Sequence, residues 1–103
     1  MPTTGKLVRD RIPEIIRMSG GNPATEIISH ADLRDALCRK LSEEVDEYFG
    51  AGTSESRLEE LADIVEVIRG ILHEMDLGWD ALMDVAEKKR TERGGFDDGV
   101  WLK

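Results

Sequence analysis

Two runs of carboxylates carry the chemistry available to this sequence: Glu43-Glu44-Val45-Asp46-Glu47, then Glu59-Glu60-Leu61-Ala62-Asp63. On a helical wheel of about 100° per residue, Leu37, Leu41, Glu44 and Tyr48 fall within about 60° of one another, so Glu44 sits in the middle of an apolar stripe. Glu47 lies on its flank, Glu43 is about 100° away and Asp46 faces the opposite side. In the second run Glu60 lies beside Ile64, Val67 and Ile71 at the edge of an apolar arc, and Asp63 shares its face. An ionised carboxylate among apolar neighbours needs a cation or a proton. A salt bridge to Arg or Lys, a position at the rim of the core, or a solvated helix face would each satisfy Glu44 alone. Two neighbouring helices that each bear an acidic pair can instead converge four carboxylates, which repel unless a divalent ion neutralises them. Oxygen-only donors without His or Cys favour Mg²⁺ or Mn²⁺ over zinc.

Helices must hold these groups. Leu33, Leu37, Leu41, Val45 and Tyr48 recur at three- and four-residue steps and predict a helix over Ala31 to Tyr48. Gly50-Ala-Gly-Thr-Ser54 interrupts it, and Ser56 with Glu59 forms a capping-box pattern, with Thr53 or Ser54 as alternative caps. A second helix then runs to about Asp76 along the seam Leu58, Leu61, Val65, Ile68, Leu72 and Met75, with Gly78 as its terminator. Asp80 is placed to cap a third long helix, which carries Leu82, Val85 and Ala86 inward and ends near Arg93. Before these, an irregular arm runs to about Thr25. It is extended up to Ile12, because the residue before a proline disfavours the helical region, and holds a short helix from Glu14 to Met18 with Pro13 in its first turn. Thr25 to Ser29 reads equally as a brief strand or as coil. Val100, Trp101 and Leu102 make the tail too apolar to stay free, so it is expected to pack on the body or on a partner. The architecture expected is all-α, an antiparallel helical bundle with an irregular arm and a packed tail.

Composition bounds the function. The chain has 103 residues, 14 Lys+Arg against 22 Asp+Glu for a net charge of −8, and 40% hydrophobic residues, which fits one small acidic domain. Such a chain has a thin core of its own, so a homo-oligomer, dimer or tetramer, is expected. No apolar run approaches the roughly 20 residues of a membrane span and no signal-like segment opens the chain, which predicts a cytoplasmic protein. The acidity repels nucleic acid and anionic lipid alike. One cysteine, Cys38, permits no internal disulfide and reads as a small packing residue.

The acidic runs resemble the EExxE and ExxD motifs of the MazG-like all-α nucleoside triphosphate pyrophosphohydrolases, carried here by Glu43, Glu44 and Glu47 and by Glu60 and Asp63. The opening Lys6-Leu-Val-Arg-Asp-Arg-Ile-Pro13 and the closing Arg93-Gly-Gly-Phe-Asp-Asp-Gly99 look like the compact branch of that superfamily, predicted housecleaning enzymes for noncanonical nucleotides. The resemblance implies a helical-bundle oligomer that holds Mg²⁺ on Glu44, Glu47, Glu60 and Asp63. It implies hydrolysis between the α and β phosphates of a nucleoside triphosphate, giving monophosphate and pyrophosphate, with Glu43, Glu44 and Glu47 in the catalytic motif; Glu43, which the wheel points less inward, either supports the ligands from behind or positions water.

A triphosphate meeting an acidic protein needs positive charge. Lys89 and Arg93 are four apart and extend the inward stripe of the third long helix, which marks them as phosphate contacts, although cations also gather at helix C-termini for the dipole. Arg9 and Arg11 read as a surface ion-pair patch with Asp10, while the family-like opening motif suggests that the arm lies over the site and brings one of them to the phosphates. His30 and His73 have no ligand spacing to the carboxylates. Trp79 reads as a hydrophobic staple; Trp101 or Phe96 is able to stack on a nucleobase, with packing against the body the preferred reading. Two other functions fit the same residues: a non-catalytic helical interaction module, and a pyrophosphohydrolase acting on a phosphoribosyl-nucleotide.

Overall fold

A computed structural model describes residues 1–103 and holds four helices and no strand: α1 (Ile12–Met18), α2 (His30–Gly50), α3 (Ser54–Glu74) and α4 (Trp79–Arg93). The two long helices each have 21 residues and are joined by Ala51, Gly52 and Thr53 alone. Both are capped by side chains. Ser29 Oγ accepts the Asp32 N–H at 3.2 Å, and Thr53 Oγ1 accepts the Ser56 N–H at 3.1 Å while Ser56 Oγ accepts the Thr53 N–H. The capping box is therefore Thr53 with Ser56, three residues ahead of the Ser56–Glu59 pattern. Thr53 is the first residue after the glycines with the extended backbone a cap needs, and starting there places Glu55 in the first turn, where the helix dipole favours it.

α2 and α3 pack along each other, and theirs is the one extensive contact between helices. His30 Nδ1–H donates to Glu74 Oε1 at 2.9 Å at one end, and Glu44 meets Glu60 towards the other. Midway, Gly70 lets the helices close in: a methyl at that position would stand 2.9 Å from Leu37 Cδ2. Leu37 and Glu44 of α2 and Val67 and Leu72 of α3 are the buried residues of the whole chain. At the end of α3, Leu77 N–H reaches Leu72 O and Asp76 N–H reaches His73 O, with Asp76 left-handed at φ 58. This closes the helix before Gly78, which instead caps α4; Asp80 accordingly lies in the first turn of α4 and is not its cap.

Several local expectations are corrected. Ile12 is helical, because its N–H bonds Arg9 O at 3.0 Å and the turn so formed outweighs the bias on a residue before proline. Of the two alternatives for residues 25–29, coil is the one adopted, with no strand formed. Trp79 is no staple: its ring lies beneath the Arg69 guanidinium, 4.6 Å from the ring centroid, and this stacking ties the start of α4 to α3. Cys38 is exposed and fills no place in the core. The tail does not pack on its own body: Phe96, Val100, Trp101 and Leu102 are all more than four-fifths exposed. α4 buries no residue, and its first half forms with α3 and Leu77 an open, wholly apolar groove of about 640 Å³. The chain is elongated, with a radius of gyration of 17.3 Å where a compact domain of this length would have about 13 Å. No helix is long and apolar enough to cross a membrane.

Candidate metal centre

Helical spacing and the close approach of α2 to α3 bring Glu44, Glu47 and Glu60 together. One carboxylate oxygen from each lies within 4.8 Å of the others. Glu44 is buried, Glu60 half-buried and Glu47 exposed, so the cluster has a closed floor and an open mouth. Glu44 Oε2 and Glu60 Oε2 are shut off from solvent with no hydrogen-bond partner. Buried carboxylate oxygens are ordinarily satisfied, so this pair lacks a proton or a cation. The protonation state of Glu60 registers the same strain: its carboxyl is pushed up to about 7 by desolvation first, then by the neighbouring Glu44 carboxyl and by repulsion from Glu47 and Asp63. The donor set is all oxygen, and its two orphaned atoms fit a hard divalent cation.

Asp63 stands beside the cluster and is engaged differently. Arg9 Nη2 donates to Asp63 Oδ1 at 2.7 Å, which draws the arm across α3 and brings Arg9 to the site's edge. Arg11 pairs locally with Glu14 at 3.3 Å and is exposed. Glu43 is exposed outside the cluster, as its wheel position implies, with its Oε2 3.8 Å from Lys40 Nζ. Lys89 and Arg93 are exposed on α4, which runs along neither long helix, and within a single chain they are not part of the cluster.

Lys40 is the residue missed by reasoning from the sequence. Its Nζ lies 3.6 Å from Glu44 Oε1, leaving Oε2 of that carboxylate as the orphan. The signal was present in the four-residue step from Lys40 to Glu44, a spacing that joins opposite charges on one helical face. His30 was likewise unassigned; its bond to Glu74 clamps the helix pair far from the carboxylates.

Comparison with known proteins adds little to this geometry. An uncharacterized protein of Mycolicibacterium smegmatis (strain ATCC 700084 / mc(2)155) is 48% identical over 54 residues, 52% of this chain and 55% of that protein. The aligned part thus spans about half the length of the curated relative it matches. No protein-family model matches the chain and no solved structure matches it.

Proposed function

We propose that this chain is a Mg²⁺-dependent, MazG-like nucleoside triphosphate pyrophosphohydrolase that cleaves between the α and β phosphates, releasing monophosphate and pyrophosphate in cytoplasmic nucleotide housecleaning. The observation that supports the reading best is the convergence of Glu44, Glu47 and Glu60 with two buried, unpartnered oxygens. Glu44, Glu47 and Glu60 would hold Mg²⁺ (or Mn²⁺), with Asp63 completing the set through the oxygen that Arg9 leaves free. The bound ion would polarise the phosphoryl oxygens and acidify a water. Glu43, exposed outside the cluster, would orient that water from the solvent side. Lys40, 3.6 Å from Glu44 Oε1, would hold that carboxylate in position. Arg9, fixed at the rim by Asp63, offers its remaining N–H groups to a phosphate, as Arg11 would from the same arm.

Two further parts belong to the reading. The fold is an antiparallel helical bundle, since His30 pairs with Glu74 and Glu44 meets Glu60 in reverse chain order. It is completed by a second copy, dimer or tetramer. The thin core, the apolar α3–α4 groove and the bare tail all support an oligomer, and a second copy is a source of Lys89 and Arg93 for the phosphates.

The deciding experiment is incubation of the purified protein with a panel of ordinary and damaged nucleoside triphosphates and Mg²⁺, with the products identified. Monophosphate plus pyrophosphate is the expected outcome. Diphosphate plus orthophosphate would reassign the scissile bond, and turnover of a phosphoribosyl-nucleotide alone would reassign the substrate. No turnover and no Mg²⁺ binding would leave a helical interaction module.

A further inference from the structure

A cleft of about 470 Å³ lies beneath the N-terminal arm and shares a wall with the carboxylate cluster. Leu7 and Val8 of the arm roof it, and Leu33 and Leu37 of α2 and Val67 of α3 floor it. Asp10 and Arg11 of the arm and Glu44, Asp63 and Glu66 of the helices add charged walls, and the 2.7 Å ion pair from Arg9 to Asp63 fastens the roof. Along α2, the lining residues Leu33, Leu37, Lys40 and Glu44 follow at steps of four, three and four, a helical repeat that sets them in a row on one face. The row reads apolar, apolar, cation, acid over about 16 Å. His73 lines the same cleft from α3.

A nucleotide has the same order: a flat, largely apolar base, an uncharged sugar, then a polyanion that needs first a cation and then metal. The volume falls in the range that encloses small molecules. We propose that this cleft receives the base and sugar of the substrate, stacked between the arm residues Leu7 and Val8 and the α2–α3 floor. His73 offers a ring nitrogen to the base edge, and Lys40 meets the phosphate nearest the sugar. The inference names the nucleoside subsite of the reaction proposed above and rests on that reading for its phosphate end only.

Uncharged nucleosides test it without phosphate or metal. The four common ribonucleosides at millimolar concentration, in EDTA, are expected to shift the amide resonances of residues 6–11, of Leu33 and Leu37, and of residues 67–73. No shift with any of them, or shifts confined to other residues, would overturn the subsite whatever the hydrolysis assay gives. Cleft shifts from a protein that hydrolyses no triphosphate would support the subsite and overturn the reaction. Val8→Trp, which fills the cleft from an exposed arm position, should raise KM for nucleoside triphosphates about tenfold with kcat within about threefold. A loss confined to kcat, or no change in KM, would overturn the assignment.

Discussion

Glu44 governs the behaviour expected of individual residues. Its carboxylate is buried between a lysine and another carboxylate, so Glu44→Gln removes a charge that repels Glu60 while keeping the shape. Turnover and Mg²⁺ affinity should fall by at least about 100-fold, the upper end of what even groups outside the ligand set cost. The metal-free variant should stay helical and no less stable, as circular dichroism and denaturant titration would read. Asp63→Asn should also abolish turnover and in addition loosen the arm, because Arg9 loses its ionic partner. Retained turnover in both variants would remove the site assignment. Glu60 sets a pH dependence. Its folded value of about 7 lies above the ordinary carboxylate value of 4.5, so the native protein holds a proton that the unfolded chain has lost. Metal-free stability should therefore fall as pH rises from about 4.5 to 7. Mg²⁺ competes with that proton, so its affinity should climb over the same interval and loading should release acid. Thermal melts at pH 5 and 8, in EDTA and in Mg²⁺, would test both signs. Equal Mg²⁺ stabilisation at the two values would count against the cluster as a ligand set. The wheel located Glu44, Glu47 and Glu60 because burial follows helical period. It could not show that Arg9 takes Asp63 or that Lys40 takes one Glu44 oxygen, since those contacts depend on where the arm crosses and which rotamer wins.

At the level of elements, the separation of α2 and α3 sets how close the carboxylates come. Gly70 permits that separation at Leu37. Gly70→Ala should be nearly neutral, a methyl against the flexible end of Leu37 offset by the gain of about 1 kcal/mol in helix propensity. Gly70→Leu should destabilise by about 1–3 kcal/mol through overpacking and weaken Mg²⁺ binding by prising Glu44 from Glu60. Denaturant and metal titrations would show whether the two losses move together. The long helices were legible within a residue or two, since apolar period and side-chain caps are local. Their exact ends were less so. Of the three caps the sequence offered, Thr53, Ser54 and Ser56, Thr53 took the place, and Asp76 accepted a left-handed backbone where a glycine stood two residues later. Each choice was settled by a hydrogen-bonding partner several residues away.

At the scale of the whole molecule, a single chain leaves much apolar surface uncovered. Only the helix pair has an interior, α4 stands off it, and four large apolar side chains of the tail meet water. In sedimentation at micromolar concentration the protein should run at two or four times its 11.5 kDa chain mass, and Leu82→Glu in the α3–α4 groove should shift it towards single chains. A species of one chain mass for the unaltered protein would refute the shared bundle. All-helical architecture was readable from periodicity. The stance of α4 and the tail was not, because amphipathic faces say that they need cover without saying whose. Cys38 makes the matter accessible to chemistry. With one sulfhydryl per chain, open to water beside the buried Leu37, alkylation becomes a clock: a brisk reaction in the assembled protein means that flank of α2 still faces solvent, and a stalled one means a neighbour has closed over it.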